Sequence, residues 1–88
     1  MTESEQTKAI LNNLERFLVK QRLIRKDQKL DRDESLLEPQ ILDSLAIMDL
    51  TAYIENTFSI MFDEQDLVPE TFESLNALKN YIVNKMNK

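Results

Sequence analysis

The chain contains no cysteine, no histidine and no glycine. Each absence excludes a class of chemistry. Without Cys there is no disulfide framework, no thiolate nucleophile and no cysteine-based metal site. Without His there is no Ser–His pair, no imidazole base and no histidine-bound zinc. Without Gly there is no glycine-rich phosphate loop and no GxSxG elbow. No run of about 18 apolar residues is present, which excludes a membrane-spanning helix. The opening "MTESEQTKAI" has no signal-type apolar core, so a cytoplasmic location is expected.

What is present fits one small domain over residues 1–88, with the first few and last few residues expected to fray. A chain of this size buries roughly 60–65% of its unfolded surface, enough for one modest core but not for a deep catalytic cavity. Charge is distributed unevenly. Met1 to Arg32 holds eight Lys/Arg against five Asp/Glu, whereas Asp33 to Leu78 holds eleven Asp/Glu and no basic residue. Such a stretch repels nucleic acid and anionic lipid and attracts basic protein surfaces. It serves as a solubility surface or as a partner-selecting one.

The apolar pattern is helical throughout. Ile10, Leu11, Leu14, Phe17 and Leu18 predict a first helix over Ser4 to Ile24, capped by Ser4 or Thr2. Lys20, Arg22, Arg25 and Lys26 crowd its end, where cations suit the helix dipole; a basic docking patch is the other reading. Arg25 to Asp43 reads as a long loop, with Leu30, Leu36, Leu37 and Ile41 as anchors and Pro39 opposing a helix. "DRDES" hints at a calcium loop, but Leu36 and Leu42 replace the glycine and glutamate that such a loop needs, so no metal site is expected. A second helix spans Ser44 to Phe58, with Met48, Leu50, Ile54 and Phe58 inward and Asp43 or Ser44 as its cap. A short turn over Asp63 to Val68, ended by Pro69, precedes a last helix from Thr71 or Ser74 to about Lys85. Leu75, Leu78, Ile82 and Met86 form its inner face. The phenylalanines, Met48 and Met61 are assigned to the core. The fold class is therefore all-α: three main helices and one short one, with a long loop between the first two.

Ser44 sits where that loop meets the second helix, inside the acidic stretch. No residue of the chain can act as its base, so it attacks nothing unaided. A helix start nevertheless favours an anion such as a phosphate. Taken alone, Asp-Ser before an apolar run is an ordinary cap worth about 1 kcal/mol. Catalysis by carboxylates such as Asp43 and Asp49 lacks a buried setting that would shift their pKa, so the chain is not expected to be an enzyme.

The stretch "LDSLAIMDLTAYIENTF", Leu42 to Phe58, resembles the acyl carrier proteins and the related peptidyl carrier domains, in which Asp-Ser-Leu opens the second of four helices. "DESLLEPQILDSL" resembles their approach loop, and "IMFDEQDLVPETFESLNALKNYI" their third and fourth helices. The resemblance implies a four-helix carrier bundle that is free-standing and monomeric. It implies a covalent 4′-phosphopantetheine placed on Ser44 from coenzyme A by a phosphopantetheinyl transferase. The carrier would hold an acyl or aminoacyl thioester between a loading enzyme and an acceptor synthase or transferase. Asp43 would face the basic, metal-assisted site of the transferase, Leu45 would make apolar partner contact, and Asp49 and Glu55 would be read by Arg and Lys. Ile41 departs from the family's usual glycine. Ala46, Ala52, Tyr53 and Asn56 occupy much of the face that is acidic in carriers of general fatty acid synthesis, which points to selective partners and a dedicated pathway of fatty acid, polyketide or nonribosomal peptide type. The alternative is a helical interaction module in which Ser44 is only an N-cap.

Overall fold

The computed structural model describes residues 5–27, 31–37 and 41–87. The expected caps Thr2 and Ser4, the anchor Leu30 and Pro39 lie outside those residues. Helix α1 runs Glu5–Lys20, α2 Ser44–Phe58 and α3 Leu75–Met86. Two 3-10 turns, Glu64–Asp66 and Pro69–Phe72, connect α2 to α3. Among the described residues there is no strand, and no helix is long and apolar enough to cross a membrane.

One apolar cluster holds the elements together. Ile10, Leu11, Leu14, Phe17 and Leu18 come from α1, Leu50 and Ile54 from α2, and Leu75, Leu78 and Ile82 from α3. These positions recur at three- and four-residue spacing, which puts each set on one helix face. Ile24, Leu36, Leu42 and Phe72 enter the same core from the connections. Phe58 and Phe62 pack against it only partly buried. Three methionines do not follow the expectation: Met48 and Met61 are 69% and 77% exposed, and Met86 is also exposed. The volume assigned to them is filled by the branched aliphatics and Phe72 instead.

Helix α1 stops four residues earlier than its apolar pattern suggests. Leu23 N–H donates to Leu18 O (2.8 Å) and Arg22 N–H to Val19 O (3.0 Å), the paired bonds of a Schellman ending. Arg22 takes the left-handed conformation this ending needs (φ 61°), so only Lys20 of the basic cluster lies in the last helical turn. Ser59 does the same after α2 (φ 56°). A chain without glycine thus places side chains in both left-handed positions, each at a cost of about 1–2 kcal/mol. Glycine would remove that cost but adds about 0.4–1 kcal/mol of unfolded-state entropy. Arg22→Gly and Ser59→Gly are each expected to stabilise the fold by about 0.5–1 kcal/mol, read as a higher denaturation midpoint at unchanged slope.

The short turn expected over Asp63 to Val68 is the first 3-10 turn. Pro69, however, opens the second one at its first position, where a missing N–H costs nothing. Both turns are clamped to α3. Phe62 stacks on Phe72 and on Tyr81, with centroids 5.7 and 4.7 Å apart. Tyr81 donates its hydroxyl to Asp66 (2.9 Å), and Lys85 Nζ meets Asp63 at 2.6 Å. Burial, reinforced by the Asp66 bond, raises the Tyr81 hydroxyl above its ordinary value of 10.0. Because the folded value is the higher one, this contribution is whole below pH 10 and is lost as pH climbs through the raised value. Tyr81→Phe is expected to cost about 0.5–1 kcal/mol at neutral pH. The difference from the parent protein should close only in alkaline denaturation series.

Candidate functional site

The segment that delivers Ser44 is irregular but tied down. Asp31 accepts from Asp33 N–H (2.9 Å) and closes a small turn. Asn76, at the start of α3, then holds the turn twice: its N–H donates to Arg32 O (2.9 Å) and its side-chain amide to Asp33 Oδ1 (2.7 Å). Leu36 N–H donates to Glu73 O (2.7 Å), and Leu36 O accepts from Leu42 N–H (2.9 Å). Of the "DRDES" carboxylates, Asp31 therefore serves a local turn and Asp33 a long-range bond to the start of α3. Among the described residues, no group of His, Cys, Asp or Glu side chains is arranged to hold a metal ion. Ile41 is half-buried, and among the described residues the positive φ angles are those of Arg22 and Ser59. The described residues of the approach, 31–37 and 41–43, thus do not use the glycine conformation.

Asp43 has extended backbone angles, and its Oδ1 accepts from Ala46 N–H at 2.8 Å. Asp43 O accepts the first intrahelical bond, from Ile47 N–H (2.9 Å). Asp43 is therefore the N-cap, and Ser44 is the first helical residue. The expectation that left Asp43 and Ser44 as equal candidates for the cap resolves to the aspartate. Ser44 is exposed and has no capping task. The first N–H groups of a helix lack intrahelical acceptors. Within α2 no acidic side chain occupies the first turn and no basic one the last. A phosphodiester on Ser44 would meet unpaired donors and the positive end of the dipole, so the residues present fit a phosphate-linked group.

The other positions singled out on α2 divide by burial. Leu45 is 69% exposed, and Asp49 and Ala52 are exposed. Ala46 instead belongs to the core cluster. Tyr53 turns towards α1: its ring lies 4.8 Å from that of Phe17, and its hydroxyl donates to Asn13 O at 3.3 Å. Glu55 is half-buried and accepts from Phe62 N–H at 2.9 Å, which fixes the chain after α2. The apolar outer face expected from Ala46, Ala52, Tyr53 and Asn56 is therefore made otherwise. Met48 joins it, three residues after Leu45 and four before Ala52, so that Leu45, Met48 and Ala52 share one exposed stripe. Sequence reasoning assigned Met48 to the core; its spacing from Leu45 was the available signal.

Beside Ser44 lies a groove of about 170 Å³. Phe17, Gln21 and Leu23 form one wall, and Asp43, Leu45, Ala46 and Asp49 the other. Leu23 also borders an open hollow of about 610 Å³ rimmed by Arg22, Arg25 and Lys26. Leu23 thus lines both a groove with acidic side chains and a hollow with basic ones.

A family model described as "Phosphopantetheine attachment site" matches residues 16–82, well over half of the 88-residue chain. No curated protein matches the chain. The matched span takes in the end of α1, the stitched approach loop, all of α2 with Ser44, and α3 as far as Ile82. The helical architecture accords with it, and the chain belongs to the phosphopantetheine attachment-site family, the acyl and peptidyl carrier proteins, which are non-catalytic and carry 4′-phosphopantetheine covalently.

Proposed function

We propose that Ser44 is the attachment residue and that the protein shuttles an acyl or aminoacyl group between partner enzymes. One observation carries this reading: Asp43 performs the capping, which leaves the Ser44 hydroxyl exposed on the first helical residue with no structural duty. A phosphopantetheinyl transferase forms the Oγ–phosphorus bond as the bond between phosphopantetheine and the adenosine bisphosphate of coenzyme A breaks. The transferase takes the serine proton, because this chain has no histidine and the neighbouring Asp43 carboxylate is engaged as the helix cap. When bound, the group supplies the thiol on which cargo is held as a thioester, a sulfur this cysteine-free chain lacks.

The exposed Leu45–Met48–Ala52 stripe, with Asp43 and Asp49 beside it, is the partner face. Apolar contact supplies affinity there, and the carboxylates steer basic partner surfaces. Ala46, Tyr53 and Glu55 act from behind by holding α2 in place. The sparse acidity of this face supports selective partners in a dedicated pathway of fatty acid, polyketide or nonribosomal peptide type. A carrier domain that acts as a monomer in the cytoplasm completes the proposal.

The test is incubation with coenzyme A and several broad-specificity transferases, followed by intact-mass measurement. One added phosphopantetheine that maps to Ser44 is the expected result. An unchanged mass with transferases that load a control carrier would reject the assignment.

A further inference from the structure

The groove beside Ser44 is built from two elements, and its position is specific. Asp43 and Leu45, the residues on either side of Ser44, both line it. Its floor is apolar: Phe17 and Ala46 are buried and Leu23 is half-buried. Its rim is polar, with Gln21 able to donate and accept and the carboxylates able to accept. The groove does not end there. Phe17 and Gln21 also line a second hollow of about 270 Å³, bordered by Arg16, Lys20 and Tyr53. Leu45, Asp49 and Tyr53 recur every four residues along one edge of α2, so this seam runs about 12 Å at 1.5 Å per residue. It exists because α1 packs its backbone closest to α3, while α2 meets α1 through the Phe17 and Tyr53 rings and the Tyr53–Asn13 bond.

We propose that this α1–α2 seam seats the phosphopantetheine arm, with the groove at Phe17, Leu23 and Leu45 as its first station. The inference rests on Ser44 being the attachment residue. An arm fixed at Ser44 starts between two groove-lining residues, so its occupancy is intramolecular and even weak contacts suffice. The chemistry also matches. The arm alternates amides with apolar carbon segments, and the groove pairs an apolar floor with amide and carboxylate partners at its edge. The first station has the volume of about five or six waters at roughly 30 Å³ each, which suits a slender arm and excludes a folded long chain. Cargo then rests towards Tyr53, on the side of α2 away from the clamped 3-10 turns.

Isotope-labelled protein, compared by NMR before and after loading with coenzyme A and a transferase, tests this. Mass measurement first verifies the added group. The expected result is nuclear Overhauser contact between arm protons and the Leu23 and Leu45 methyls, with shift changes reaching Gln21 and Tyr53. Gln21→Trp, which fills the groove from an exposed position, should erase those contacts while loading and melting temperature persist. The seat is overturned if fully loaded protein shows changes confined to the immediate neighbours of Ser44, or changes centred on Phe62, Leu67 and Phe72. If no mass is added, the attachment reading itself fails, and the seat fails with it.

Discussion

Ser44→Ala is expected to abolish phosphopantetheine loading completely, from one added group per chain to none, while leaving the fold's stability within about 0.5 kcal/mol of the parent. The two halves of this expectation have separate causes. Loading needs the Oγ nucleophile, and no cysteine or histidine exists elsewhere to substitute for it. Stability is spared because the cap bond belongs to Asp43, whose Oδ1 receives Ala46 N–H, and because alanine is at least as good as serine inside a helix. Asp43→Ala should show the opposite balance, losing about 1 kcal/mol of stability with the cap while Ser44 remains modifiable. If Ser44 were only a cap, the stability effects of the two variants would be exchanged. Chemical denaturation with intact-mass measurement on both variants separates the readings.

Leu36→Ala is expected to destabilise the fold strongly for a change in a connecting segment. Leu36 is fully buried, although it lies in no helix. Its backbone binds Glu73 on one side and Leu42 on the other, so the side chain sits where the approach loop, the second 3-10 turn and the residues before α2 meet. Truncating a buried leucine costs about 2–5 kcal/mol, against a total of about 5–15 kcal/mol for a typical domain. The melting temperature should fall by about 10 °C or more. Because the same residue steadies Leu42, immediately before the cap at Asp43, transferase loading should slow while still ending at one group per chain. An unchanged melting temperature would show that Leu36 does not act as a core residue.

Much of this was legible in the sequence, and the failures have physical causes. The bounds of α2 were readable because Asp-Ser marks its start and the apolar spacing runs unbroken to Phe58. The core face of α1 was readable because its apolar residues fall on one side only. Its end was not: the usual signal is glycine, and here Arg22 takes the left-handed position. Met48 was misplaced because Leu45, Ala46, Ile47, Met48 and Leu50 crowd the first turns of α2 with apolar groups on several faces, and period alone cannot choose among them. Glu55 and Tyr53 were read as surface because nothing local reveals that Phe62 N–H and Asn13 O lie in reach. Asp43, Leu45 and Asp49, singled out through the resemblance to carrier proteins, stand on the exposed side or the groove rim.

The bare ends of α2 have a further consequence. With no acidic side chain in its first turn and no basic one in its last, the helix leaves most of its dipole uncompensated beyond the single cap at Asp43. A phosphodiester at Ser44 would supply the missing negative charge, a contribution of about 0.3–1 kcal/mol near a helix start. Modification and folding are then thermodynamically linked. The transferase would not merely equip a finished protein; it would lower the free energy of the native state, and the unmodified chain would be the one more often open to proteolysis.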